Sequence, residues 1–129
     1  MEHIVEILIL ALLAIVFLQS GIDKVIDWKG NFGWLQSHFS KSILKNFVGV
    51  CLMMITILEL IAGVTAIIGG ILLYTNGTTS WALVSAIVSA VTFLLLFLGQ
   101  RLAKDYPGAQ TVVIYFIPTV FLIYLLQLG

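Results

Sequence analysis

Four long apolar stretches, at 4–20, 47–74, 81–98 and 111–128, make up most of this chain, and only Glu6 and Glu59 bring a charge into any of them. A helix rises about 1.5 Å per residue, so stretches of about 17–25 residues match a hydrocarbon core about 30 Å thick. Lipid offers no hydrogen bonds to the backbone, so each stretch must satisfy its own N–H and C=O groups and is expected to be a helix. The remaining sequence is short. With 61% hydrophobic and 9% charged residues in 129, the chain lacks the polar surface that a soluble domain needs. The expected fold class is therefore all-α, a single-domain integral membrane four-helix bundle.

The basic residues orient it. Lys24, Lys29, Lys41 and Lys45 lie in the first gap, Arg101 and Lys104 in the third, and the gap around 75–80 has no ionisable side chain. In a four-span chain the first and third gaps face the same side. The positive-inside rule makes that side cytoplasmic and puts both termini outside. A signal peptide is not expected at the start: Glu2 and Glu6 stand where basic residues would be needed, and Phe17-Leu18-Gln19-Ser20-Gly21 makes a poor cleavage site. The first helix is expected to end near Ser20. Asn76-Gly77-Thr78 spells a glycosylation sequon, which would carry no weight in a bacterial context.

Between the first two spans, Trp28, Phe32, Leu35, Phe39 and Ile43 recur at helical spacing, while Gln36, Ser37 and Lys41 fall off that stripe. The pattern predicts a short amphipathic helix lying at the interface; an aromatic-anchored loop is the alternative. Further on, Pro107-Gly108 is expected to break the chain before the last span, and Pro118 to kink that span.

Glu59 is the central polar residue. An acid in mid-span costs about 2.5–3.5 kcal/mol on insertion scales, so it is expected to face the bundle interior. Ala62, Gly63, Ala66 and Gly70 follow on the same face, and small residues at that spacing let another helix approach. Two roles compete for Glu59. It can carry a proton or bind a cation, a quinone or another polar ligand, or it can hold the register of the bundle through a hydrogen bond. Ser85, Ser89 and Thr92 form one polar stripe, and Thr111, Tyr115 and Thr119 another; these suit helix packing, with Tyr115 as a possible ligand contact. Gln19 and Lys24, near the cytoplasmic end of the first helix, are candidates that reach only partway toward Glu59. Glu59 should lie roughly 18 Å from the basic boundary, so a direct Lys24–Glu59 pair is not expected.

Several function classes drop out. Zero net charge gives no nucleic-acid footprint. Cys51 is the only cysteine, so neither a disulfide nor a thiolate metal centre is expected. His3 and His38 fall on opposite sides and cannot pair across a haem. No metal site, phosphate loop or catalytic constellation is evident, so no intrinsic cofactor and no catalytic residue are assigned.

Three segments resemble the DoxX-like family of small bacterial membrane proteins: Phe17-Leu18-Gln19-Ser20-Gly21-Ile22-Asp23-Lys24, Glu59-Leu60-Ile61-Ala62-Gly63, and the loop from Gly99 to Ala109. The resemblance implies a four-helix bundle in the bacterial cytoplasmic (inner) membrane. It also implies a role beside quinone-linked oxidoreductases that work with partner chains, and it singles out Gly21, Lys24, Glu59 and Gly63. The expected function is an accessory or ligand-binding subunit with a protein partner or a homo-oligomeric state, and quinone as the candidate ligand. The alternatives are a small proton-coupled transporter acting as a homodimer and a purely structural scaffold.

Overall fold

The computed structural model describes residues 3–128. It is an all-α bundle of five helices: α1 (Ile4–Ile26), α2 (Trp28–His38), α3 (Val48–Asn76), α4 (Ser80–Leu102) and α5 (Tyr106–Leu128). The four longest, α1, α3, α4 and α5, are long and apolar enough to cross a membrane. They run up and down in sequence, α1 against α3, α3 against α4 and α4 against α5, with α1 also touching α5. Both basic connections therefore lie at one end of the bundle, called here the basic end. The outward faces are largely apolar, with Ile15, Ile57, Ile87 and Ile117 exposed, as a surface in contact with lipid requires.

Two helix ends differ from the sequence expectation. First, α1 runs six residues beyond Ser20. Gly21 does not stop it, because Gly21 is buried against α3: a Cβ there would come within 2.8 Å of Leu60 Cδ2. Close helix packing, not chain reversal, is what this glycine provides. Second, Pro107-Gly108 does not break a helix but opens one. Both residues sit in the first turn of α5, where a missing N–H costs nothing. The Asp105 carboxylate accepts from the Gly108 N–H at 3.0 Å and caps that turn. The connection from α4 is thus only 103–105, with Lys104 in the left-handed conformation at φ 61.

A single residue, Asp27, joins α1 to α2. Its backbone N–H closes α1 onto Asp23, and its side chain accepts from Gly30 N–H at 3.3 Å to start α2. The aromatic stripe is helical only as far as His38. Phe39 is the cap residue, and Ile43 lies in the following turns, 77% exposed. No residue of α2 is buried, which fits a helix lying on the bundle and not within it.

Helix contacts are closest where glycines stand. A Cβ on Gly63 would meet Leu18 Cγ at 2.6 Å and Leu18 backbone N at 3.2 Å, so α1 and α3 come closest there. At the opposite end a Cβ on Gly69 would lie 2.7 Å from the Ala82 backbone, where α3 meets α4. Gly70, expected on the packed face, does face α1, but its nearest neighbour, Leu10 Cβ, is 4.0 Å away. Its neighbour Gly69 makes the tighter contact, and with a different helix. Ala62 and Ala66 are buried in the core with Leu10, Leu13, Phe17 and Leu122.

Candidate functional site

The register of α1 on α3 decides where the charges meet. Leu18 packs on Gly63 and Gly21 on Leu60, so one more turn brings Lys24 beside Glu59. The Lys24 Nζ lies 3.0 Å from Glu59 Oε1, with side-chain exposures of 16% and 3%. This overturns the expectation that the two are too far apart. That distance assumed that α1 ends level with the start of α3. Instead that register puts the end of α1 at about the level of residue 55, and the start of α3 projects beyond it by about seven residues, or roughly 10 Å. Depth along α3 is therefore not depth along α1.

The contact is an ion pair and not a full hydrogen bond. Lys24 Nζ donates to Ser20 Oγ at 2.6 Å, one turn back on its own helix, while Glu59 Oε1 has no hydrogen-bond partner among the described residues. The opposite charges compensate each other inside an apolar bundle, where either charge alone would be costly. On α4, Ser85 Oγ donates to the Ala62 carbonyl at 3.0 Å. The same register carries Ser89, one turn further, to the level of Glu59. Ser89 Oγ is fully buried and holds no hydrogen bond among the described residues. A short polar layer thus crosses three helices: Ser20 and Lys24 on α1, Glu59 on α3 and Ser89 on α4.

The other polar positions are mostly self-contained. Thr56, Thr92 and Thr119 are buried, and each donates to a carbonyl one turn back on its own helix, at 2.6, 2.7 and 2.9 Å. Such bonds satisfy the hydroxyl without joining helices. Tyr115 belongs to an aromatic column: it stacks on Phe93 with centroids 6.0 Å apart, and Phe93 in turn meets Phe17 at 4.8 Å. Gln19 is exposed and does not join the polar layer.

Because α1 stops short, a cavity of about 430 Å³ opens beyond its end, between the starts of α3 and α5 and the end of α4. This falls within the usual range for small-molecule sites, roughly 300–1,000 Å³. Lys24 is among its lining residues, and most of the wall is apolar, with Leu35, Leu52, Leu95 and Val112. The α2 helix covers it with Asn31, Trp34 and Leu35. The far end of α2 is tied to the α4–α5 turn, since His38 Nε2 lies 2.9 Å from Gln100 Oε1 and 3.6 Å from Asp105 Oδ2. Trp34 stacks on the same imidazole at 4.6 Å.

The sequence reading did not find this cover or the cavity. One signal was available: Trp34 and His38 stand four apart on a segment already assigned as a helix, and so share a face. Their partners on α4 and in the α4–α5 turn are more than 60 residues away, and local spacing cannot supply them.

Fold and site together define a class: a polytopic helical membrane protein with a buried Lys–Glu pair beside an apolar, covered cavity. No family model, no curated protein and no solved structure matches this chain.

Proposed function

We propose that this chain is a DoxX-like accessory or ligand-binding subunit of the bacterial inner membrane, serving a quinone-linked redox partner and performing no catalytic step of its own. Its basic end faces the cytoplasm and both termini face outward, by the distribution of Lys and Arg. The observation that carries the proposal is the Lys24–Glu59 pair at 3.0 Å, with Lys24 also lining the cavity. A buried pair of this kind is a poor route to stability alone, and its position beside open space argues for use in binding. The family resemblance adds support, since the four positions it singles out all lie in one contact: Gly21 on Leu60, Gly63 on Leu18, and Lys24 on Glu59.

The transporter alternative needs Glu59 free to exchange protons with both sides. An ammonium group at contact distance in a buried layer favours the accessory reading over it. Native mass spectrometry of the protein extracted from its own membrane tests the proposal. A stoichiometric partner chain or a retained quinone is the expected result. A bare homodimer that drives proton-dependent flux in proteoliposomes would replace the accessory reading with the transporter.

A further inference from the structure

We infer that the cavity below α1 selects an uncharged, carbonyl-bearing amphiphile, held by the Lys24 ammonium and excluding anionic lipids of similar size. The inference deepens the ligand-binding reading above and rests on it.

An ammonium group has three N–H donors. One goes to Ser20 Oγ at 2.6 Å, and Glu59 Oε1 lies 3.0 Å away as an ion-pair partner. At least one donor is left, and Lys24 lines the cavity whereas Glu59 does not. Of the other polar side chains of the wall, Asn31 Nδ2 donates to the Asp27 carbonyl at 2.9 Å and Gln100 Oε1 lies against His38, and none of the remaining lining groups carries a charge. The cavity therefore offers one charged donor in a mostly apolar wall, a pattern that suits a hydrogen-bond acceptor on an apolar body.

Charge then selects among acceptors. Lys24 and Glu59 together carry no net charge. A carboxylate ligand would place a second negative charge beside Glu59 in apolar surroundings, with no cation to balance it. A ketone or ester oxygen takes the remaining N–H without that cost. Access is from the lipid side: Met54 and Leu98 line the cavity and are also 50% and 53% exposed on the outer surface of the bundle. A ligand dissolved in the bilayer can enter there without crossing water.

Two sources share this chemistry, the ring carbonyls of a quinone and the ester of a neutral glyceride. The test titrates purified protein with menadione, monoolein and sodium dodecanoate, reading bound fractions by native mass spectrometry. At least one neutral probe should bind tenfold or more tightly than dodecanoate, and whichever binds better identifies the source. Leu35→Trp, which fills the cavity from the cover, should weaken that probe by more than tenfold while circular dichroism stays unchanged. Glu59→Gln should leave Lys24 with net positive charge and strengthen dodecanoate tenfold or more. Wild-type protein that prefers dodecanoate, or binds none of the three, overturns the inference, as does Leu35→Trp without effect. Neutral-probe binding by a chain that has no partner and retains no quinone in its own membrane would sink the accessory reading and leave this inference standing. A partner-bound chain that prefers dodecanoate would do the reverse.

Discussion

The two ends of the bundle are built differently. At the neutral end, where α3 turns into α4, helices meet backbone to backbone: Gly69 lies against Ala82, with Leu73 and Leu126 buried nearby. At the basic end α1 stops early, α2 turns back across the opening, and the space between holds a cavity and not a core. Lipid tails are as apolar as leucine, so close contact of small residues is what holds membrane helices together. The neutral end uses that device fully. The basic end gives up some of it to bring one charged pair beside open space.

The largest effects should come from unpairing the charges. Lys24→Met leaves Glu59 buried without its cation, which costs about 3–5 kcal/mol. The double variant with Glu59→Gln should recover a large part of that loss. Equilibrium unfolding of the two single variants and the double variant in mild detergent gives the coupling, and additive losses would mean that the pair is not coupled. Next comes Gly69→Ala at the neutral end. The added methyl meets Ala82 backbone, which cannot rotate away, and overpacking of this kind costs about 1–3 kcal/mol. The same measurement on Gly70→Ala should show a change within about 0.5 kcal/mol, because its neighbour is 4.0 Å away. Equal losses at 69 and 70 would erase the distinction drawn between these two faces of α3. A comparably small change should come from Ser85→Ala, which removes one interhelical hydrogen bond worth about 0.6 kcal/mol in membrane proteins.

Much of the neutral end was legible in the sequence. The presence of four spans, the turn at Gly77 with its positive φ, and the inward face of Ala62, Gly63 and Ala66 all follow from composition and a 3.6-residue period. Gly69 was missed because α3 packs on two helices at once. A single stripe drawn through Glu59 follows the α1 side and passes over the α4 side. The basic end was far less legible. Ser20-Gly21 resembles a helix stop, yet buried contacts on Leu60 keep the helix going. Once α1 is longer and α3 projects past it, the Lys24–Glu59 pair and the cavity both appear. Neither can be read from spacing within one helix, because both depend on how one helix is shifted along another.

The pair itself is the most direct test. Solid-state NMR of the protein in lipid bilayers, with ¹⁵N-lysine and ¹³C-glutamate, can measure dipolar coupling between Lys Nζ and Glu Cδ. With Nζ 3.0 Å from Oε1, the account predicts a clear Lys–Glu coupling that disappears in Glu59→Gln. No coupling in the wild-type protein, or one that survives that substitution, would contradict it.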